Sequence, residues 1–389
     1  MKQIGTLTLL LFISMAFRAS GQDSTKVVMD YGLQGLSFSY GEDYKMNMQW
    51  HLQFRYAYRT GANPDFYVED EDNLNGSFNI QRARIKVSGH AFKPYVEYYL
   101  MYDFPSNNFL NWDVTIRKKP ELQFRLGQWK VNYNTERYVA ADKQLMVDRS
   151  LVNRFFTFDR QIGMMLMGDV FRGKAGSSRY QVSVYNGEGL NADNENRYYL
   201  WTVRYQWNFS RTRPKMFFAD IERSQKPIGF LAVAIAENVS GYTQFSSDGG
   251  GQLPGFSVGT KNQYRLRQAT AELMLKYKGF SMMTEAHLKN VYDHVSDETT
   301  EILGGYIQGG YFFNELFDWV PRPFQLAGRI GVVHQDNFSQ GQREWTIGAN
   351  WFFIGHNNKL TFDFSRLDNV DFEDTGDEFR MRIQWNFSF

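Results

Sequence analysis

Between residues 82 and 160 the chain carries an excess of basic side chains at spacings that suit anion binding. This stretch holds fourteen Lys and Arg residues against eight Asp and Glu residues, whereas the whole chain has 43 basic and 42 acidic residues. Arg82, Arg84 and Lys86 follow one another at intervals of two, so on a β-strand they share one face. Rows of Arg and Lys select anions and phosphates in pores, because the guanidinium fork matches phosphate oxygens.

Because side chains alternate between the two faces of a strand, other predicted strands add basic residues to the same inward face. We predict an anion pathway on one wall of a lumen, formed by Arg82, Arg84, Lys86, Arg117, Arg125, Arg380, Arg382, Lys45 and Arg55. A wall of low dielectric constant would focus the field of these cations into the pore. The alternative is that a water-filled lumen carries charges of both signs only to stay wet.

A second basic group lies in a segment without alternation, at about residues 130–160. We predict a long loop there, with a helical turn or two around Tyr138–Val147. Its basic residues alternate with acidic ones and are Arg137, Lys143, Arg149, Arg154 and Arg160. A loop folded inward would form the constriction of the pathway, and its cations would bind the permeant. The alternative is an exposed helix face whose charges pair with one another.

Other chemistry finds little support in the sequence. The six histidines lie on different predicted strands or loops, without metal-ligand spacing. The chain has no cysteine and shows neither a nucleophile elbow nor a phosphate loop. We therefore predict no catalytic residue, no metal site and no cofactor. A hydrolase built into a barrel, with Ser and His from distant strands, remains the alternative.

The elements that would position the basic residues are strands with one apolar and one polar face. The final stretch, Phe379–Phe389, alternates aromatic or aliphatic residues with Arg380, Arg382 and other polar residues. Lys45–Tyr58 alternates as regularly. Apolar-outward, polar-inward strands are typical of an outer-membrane barrel. An open sheet edge cannot exist in hydrocarbon, so these first and last strands are expected to pair.

The whole chain then predicts an all-β fold, a transmembrane antiparallel β-barrel. We count about sixteen strands, with both termini in the periplasm, which leaves a polar, water-filled lumen. The aromatic content of 17% and the mean hydropathy of −0.49 fit aromatic girdles around such a lumen. The predicted outer loops Asp65–Asp72 and Asp368–Glu378 are acidic; they either bridge divalent cations on lipopolysaccharide or are merely solvated.

The start of the chain indicates export. Lys2, an apolar run from Leu7 to Phe17 and the small residues before Gln22 predict a cleaved signal peptide over residues 1–21. Residues 22–43 are expected to form a periplasmic lead-in, and residues 44–389 the barrel. The predicted location is the outer membrane of a Gram-negative bacterium, with contacts to its lipid and lipopolysaccharide. The near-zero net charge argues against nucleic acid as a partner.

Several short motifs resemble the phosphate-selective porins O and P, in the same order along the chain. They are Gly76–Gly89, Tyr95–Phe104, Arg125–Gln128, Asp148–Leu151, Arg160–Gly163, Tyr185–Gly187, Gly304–Tyr306, Gly309–Tyr311 and Gly348–Asn350. The segment Gln128–Tyr133 departs from the family, because it lacks the proline that usually follows Gly-Gln.

The resemblance implies a sixteen-stranded, trimeric outer-membrane channel whose third loop, here Lys130–Asp159, folds into the lumen. It also implies that Arg82 and Arg84 belong to the family's basic strand. Together with the basic wall, this predicts a passive porin for small anions, phosphate or polyphosphate first. A general diffusion porin, and a structural or docking barrel of a surface assembly with little conductance, remain alternatives.

Overall fold

The computed structural model describes residues 27–32, 35–60, 76–174, 176–211, 213–338, 341–368 and 377–389. Within these ranges sixteen antiparallel strands close into one barrel, which confirms the predicted fold class. None of the helices in the described part of the chain is long and apolar enough to span a membrane.

Each barrel strand pairs with its sequence neighbours. The barrel strands are β3 (Tyr44–Arg59), β4 (Ser77–His90), β5 (Val96–Asp103), β6 (Asn108–Lys119), β7 (Leu122–Lys130), β8 (Arg160–Val170), β9 (Ser178–Tyr185), β10 (Leu200–Asn208), β11 (Ile228–Ser240), β14 (Tyr264–Tyr277), β15 (Phe280–Asp293), β16 (Glu298–Tyr311), β17 (Phe324–Gln335), β18 (Gln342–Ile354), β19 (Asn358–Asp368) and β20 (Glu378–Ser388). The other strands are β1 (Val27–Gly32), β2 (Gly35–Tyr40), β12 (Gln244–Ser246) and β13 (Gly249–Gly251).

Alternation along the strands separates a lipid-facing surface from the interior. In β10 the side chains of Thr202, Arg204 and Gln206 are buried, whereas Trp201 and Tyr205 are exposed on the outer surface. Because successive strand residues point to opposite faces, each strand can meet hydrocarbon on one side and polar groups on the other.

The barrel closes by pairing its last strand with its first, as predicted. The register of β20 on β3 runs from Arg380 opposite Arg59 to Ser388 opposite His51. Reciprocal backbone bonds between Trp50 and Phe389, with N···O distances of 2.7 and 3.1 Å, end this seam. No free edge is left along the paired part of these strands.

A β-hairpin occupies part of the predicted lead-in. Its strands β1 and β2 pair with each other, and β2 also pairs with the start of β3, where Leu36 lies opposite Met48 and Tyr40 opposite Tyr44. The same edge of β3 therefore pairs with β2 over residues 44–48 and with β20 over residues 51–59. The predicted signal peptide and the predicted outer loop at Asp65–Asp72 fall outside the described residues. So do residues 369–376 of the predicted acidic loop Asp368–Glu378.

Several connections are much longer than tight turns, among them residues 131–159 and 209–227. Residues 131–159 join β7 to β8 and contain helix α1 (Thr135–Tyr138), a 3₁₀ turn (Ala141–Lys143) and helix α2 (Leu151–Phe156). Helical turns thus lie partly where they were predicted, and α2 lies beyond that region. Residues 209–227 join β10 to β11, and Phe218, Ala219 and Asp220 in this turn are buried.

Candidate functional site: a basic lumen beside an inward-folded loop

Residues 131–159, called the inner loop below, lie inside the barrel against one side of its wall. Carboxylates from three wall strands accept hydrogen bonds from backbone N–H groups of the loop. Glu285 on β15 accepts from the backbone N–H of Glu136 at 2.6 Å, and Glu344 on β18 accepts from that of Leu151 at 2.6 Å. Asp363 on β19 accepts from the N–H of Val147. Hydrogen bonds to charged groups are stronger than neutral ones, so these contacts fix the loop backbone.

Basic groups on the same side of the wall bind the loop's carbonyl oxygens. Lys289 donates to the carbonyl of Phe155 at 2.7 Å, and Lys359 to that of Gln144 at 2.8 Å. Arg329 donates to two consecutive loop carbonyls, those of Asp148 and Arg149. Arg204 donates to that of Tyr133. The loop is held by backbone contacts along its length, from β10 to β19.

Apolar packing fills the space between the loop and this wall. Phe156 is fully buried and stacks on His287 of β15, with ring centroids 4.7 Å apart. A Cβ atom at Gly304 of β16 would lie 2.5 Å from the Phe156 ring, and one at Gly348 of β18 would lie 2.7 Å from the sulfur of Met146. The glycines of these two strands therefore leave room for the loop to approach the wall.

The opposite face of the inner loop meets the basic wall formed by β20 and β3 to β7. Asp148 binds Arg55 of β3 and Arg382 of β20, with N–O distances of 2.9 and 3.0 Å. Asp159 pairs with Arg137 of the loop and with Arg160 at the start of β8. The loop thus contributes both its own cations and the carboxylates that hold neighbouring cations in place.

An outer cavity lies on one side of this contact, next to Arg59 and Ser77, which flank the predicted outer loop between β3 and β4. Its lining residues, within the described part of the chain, include eight arginines and two carboxylates. The arginines are Arg55, Arg59, Arg82, Arg137, Arg149, Arg154, Arg380 and Arg382, and the carboxylates are Asp148 and Asp248.

An inner cavity lies on the other side of the same contact, towards the predicted periplasmic end of the barrel. Its basic lining residues, again of those described, are Arg84, Lys86, Arg125, Lys130, Lys143 and Arg160, together with His51, and its single carboxylate is Asp142. Arg82 and Arg84 are neighbours on one strand face, yet they line different cavities. The basic face of β4 therefore passes the inner loop from one cavity to the other.

Three side chains of the inner loop, those of Asp148, Asp159 and Arg149, stay charged at neutral pH. Burial alone would raise the pKa of the Asp148 carboxyl, but Arg55 and Arg382 hold that pKa well below its usual range. Arg137 and Arg160 do the same, against burial, for the pKa of Asp159. Burial, reinforced by neighbouring arginines, lowers the pKa of Arg149 to about 9, so this guanidinium also stays cationic.

Comparison with known proteins agrees with this architecture. Residues 52–216 match the family described as phosphate-selective porin O and P. No sequence among the curated proteins matches the chain. The outer membrane channel DcaP of Acinetobacter baumannii has a similar solved structure, with a TM-score of 0.58 at 11% identity over 88% of this chain and 97% of that one.

Two further solved structures show the same fold. The anion-selective porin from Comamonas acidovorans has a TM-score of 0.55 at 7% identity, covering 88% of this chain and 99% of its own. The trimer form of in-vitro folded OmpT from Vibrio cholerae has a TM-score of 0.55 at 8% identity, with coverages of 88% and 99%. The chain has the fold of an outer-membrane porin. The resemblance drawn from the motifs is thus confirmed over residues 52–216, as is the Gram-negative outer membrane as its location.

The porin fold and the family match over residues 52–216 favour a channel over an enzyme. Of the six histidines, His51 and His287 are buried inside the barrel on different strands. His287 bonds Glu285 at 3.1 Å and packs under the inner loop. Among the described residues, no group of three or more His, Asp or Glu side chains is arranged to hold a metal ion.

The structure brings most of the predicted pathway residues together around the two cavities. Arg84 pairs with Asp103 at 3.1 Å, and Arg125 binds Asp113 through two contacts of 2.8 Å. Arg380 pairs with Glu378 of its own strand. Arg82 donates to Gln53 across the β3–β4 pair.

Two predicted pathway residues lie outside this group. Lys45 is exposed in the part of β3 that β2 covers, opposite Ser39, so the closing seam does not bring it beside Arg380 and Arg382. Arg117 has inward parity but is exposed near the turn between β6 and β7, where it pairs with Glu97 at 2.8 Å. Neither residue lines either cavity.

Sequence reasoning missed several functional positions. Arg59 and Lys130 line the two cavities from the ends of β3 and β7. Arg204, Arg329 and other inward basic residues of the far wall anchor the inner loop. The alternation of the sequence places these basic residues on the inward face, but their charge is balanced by carboxylates such as Glu272, which binds Arg204. The charge excess used to find the basic wall therefore gave no signal there.

Proposed function

We propose that this porin admits small anions by passive diffusion, with phosphate and polyphosphate as the first candidates. The observation that supports the proposal is the excess of cations over carboxylates in both cavities of the described lumen. Such a low-dielectric, cationic passage raises the local concentration of anions. The family match and the anion-selective porin among the similar structures agree with the proposal.

The proposed path runs from the outer cavity to the inner cavity along the basic face of β4. An anion would leave the arginines of the outer cavity, pass the inner loop at Arg82 and Arg84, and reach Lys86 and Lys143 on the periplasmic side. A series of moderately strong sites suits conduction, because each site must release its ion as well as bind it.

We also infer that the porin works as a homotrimer, since a trimer form is known for OmpT of Vibrio cholerae, which has the same fold. Chemical cross-linking of the purified porin in detergent would test this inference. A ladder that ends at the monomer would contradict it.

Reversal potentials in planar bilayers test the anion proposal. We expect wild-type porin in a KCl gradient to show a reversal potential of the sign given by chloride preference. A preference for potassium, or none, would contradict the proposal and would favour a general diffusion pore. An absence of conductance would instead favour a docking barrel.

Substitution of the central arginines makes the test specific. The double variant Arg82→Ala with Arg84→Ala should lower the anion-to-cation permeability ratio several-fold, because it removes two cations where the cavities meet. The matched control removes two exposed cations of outer connections that line neither cavity, as Arg197→Ala with Lys261→Ala. An equal change in both double variants would show that only net charge matters.

A further inference from the structure

Asp148 occupies the position that a bound oxyanion would take in the outer cavity. Its carboxylate accepts hydrogen bonds from two nitrogens of Arg55, at 2.9 and 3.0 Å, and from one nitrogen of Arg382, at 3.0 Å. The two arginines belong to the strands that close the barrel, β3 and β20. Arginine forks that bind an oxyanion in this way are shaped for carboxylate and phosphate groups.

The two arginines are also held by partners other than Asp148. Arg55 also donates to the side-chain oxygen of Gln384 at 3.0 and 2.9 Å. Arg382 donates two further hydrogen bonds to Asp363, at 2.8 and 2.9 Å. The guanidinium groups are therefore preorganised by other partners, and removal of the Asp148 carboxylate leaves a formed anion site.

The backbone at Asp148 is fixed independently of its side chain. The N–H of Val147 bonds Asp363 at 2.9 Å, and the carbonyl oxygen of Asp148 accepts from Arg329 at 2.9 Å. Only the side chain is left to move, by rotation about its own bonds. Such rotations are fast relative to movements of whole loops, so the carboxylate can leave the arginines while the inner loop stays in place.

Asp148 is also the most accessible member of the group. Its side chain is 16% exposed, against 8% for Arg55 and 5% for Arg382. It lines the outer cavity, from which an entering anion reaches the arginines. An anion that enters from outside therefore finds Arg55 and Arg382 already bound to the carboxylate of Asp148.

We propose that Asp148 is a tethered competitor, which occupies the Arg55–Arg382 site and yields it to a permeating oxyanion. The inference rests on the proposed anion-channel function and specifies one site of it. The ligand class is a small oxyanion, whether inorganic phosphate or the carboxylate of an organic acid. By competing for the site, Asp148 weakens anion binding there and speeds release, which conduction requires.

The test is block of chloride current by added oxyanion in planar bilayers, with wild-type porin and Asp148→Asn. The variant keeps the shape of the side chain but removes the competing charge. The concentration of inorganic phosphate that halves the chloride current should fall on the order of tenfold, which is about 1.4 kcal/mol of binding free energy. Acetate in a parallel series distinguishes the two ligand sources. A fall for phosphate alone assigns the site to phosphate, and a fall for acetate assigns it to carboxylates.

The matched control is Asp248→Asn, which removes the same charge from the same cavity but not from the Arg55–Arg382 site. It should change the half-blocking concentration less than twofold. In an Arg55→Gln with Arg382→Gln background, Asp148→Asn should also have less than a twofold effect. Asp148→Ser, a second neutral variant, should reproduce the tighter block if the asparagine variant does not fold.

The outcomes separate this inference from the proposed function. Anion preference in wild type with unchanged or weaker block in both Asp148 variants overturns the tethered competitor alone. Equal tightening in Asp148→Asn and Asp248→Asn also overturns it, since cavity charge would then be the cause. Cation preference in wild type overturns the anion-channel function, and the competitor with it.

Discussion

Glu136 is a carboxylate of the inner loop that is buried between the loop and the barrel wall. It accepts hydrogen bonds from the backbone N–H of Ser150 at 2.7 Å and from its hydroxyl at 2.6 Å, and it lies 3.8 Å from Arg329. Burial outweighs these favourable contacts and raises the pKa of Glu136 to about 7. The residue therefore titrates near physiological pH in the docked loop.

The raised pKa predicts that docking of the inner loop weakens as pH rises. Below an ordinary glutamate pKa near 4.5, Glu136 is protonated whether the loop is docked or free. Between that value and about 7 only the docked form keeps the proton, so each pH unit costs docking up to about 1.4 kcal/mol. Amide hydrogen exchange of the loop, corrected for intrinsic rates, should accelerate from pH 5 to pH 8 and level off above the upper pKa.

Two variants check that Glu136 is the cause. Glu136→Gln should flatten the pH dependence of loop exchange, because the amide does not titrate. Glu188→Gln should leave it unchanged, although burial also raises the pKa of Glu188 to about 7, because Glu188 lies in the connection between β9 and β10. The same slope in wild type and Glu136→Gln would refute the assignment.

At the residue scale, parity located most of the basic wall from sequence alone. Arg55, Arg84 and Arg382 face the interior as their neighbours' apolar character indicated. Parity gives the side of a strand and not the depth along it, so it could not place Lys45 beside the hairpin. Partners such as Asp148, distant in sequence from Arg55, are set by the path of the inner loop.

At the scale of elements, the inner loop is a small apolar core inside a polar lumen. Val152, Phe155 and Phe156 are fully buried on one face of the loop and of α2. The glycines of β16 and β18 accommodate that core. The strands could be read from alternation, but α2 could not, because its apolar face is complementary to wall glycines more than 140 residues away in sequence.

Phe156→Ala should loosen the inner loop while the barrel stays folded. Deleting a buried aromatic ring typically costs about 3–5 kcal/mol, and here the lost contacts lie between loop and wall. Trypsin should then cleave faster at loop sites such as Arg149 and Arg154, and channel current noise should rise. Phe156→Leu keeps most of the apolar volume and should show a smaller increase.

The barrel itself is followed by its heat-modifiable migration on gels, which Phe156→Ala should retain. Loss of this migration would mean that the loop core supports the whole barrel. Unchanged trypsin cleavage would mean that hydrogen bonds to Glu285, Glu344 and Asp363 suffice to hold the loop.

At the scale of the whole molecule, one physical rule organises the wall: alternate side chains meet lipid and lumen around a closed sheet. The register of β20 on β3 and the outward exposure of Ile383 and Trp385 agree with that rule. The sixteen strands were predictable for this reason. The N-terminal hairpin was not, because its outward apolar residues, such as Phe38, have too few repeats to be told from a lead-in.

The rule that the two faces of the barrel wall meet lipid and water is tested by introducing one arginine on either face. Ile347 lies mid-strand on β18 and is 65% exposed on the outer surface, so Ile347→Arg places a guanidinium against hydrocarbon, at a cost of about 2–4 kcal/mol. The midpoint for urea unfolding from lipid vesicles should fall accordingly. Ile347→Ala controls for the lost side-chain volume, and its unfolding midpoint should fall much less.

Ser88→Arg introduces the same guanidinium into the inner cavity. It should be tolerated because the new charge remains in water. Equal destabilisation by Ile347→Arg and Ser88→Arg would mean that the two faces of the wall do not meet different solvents.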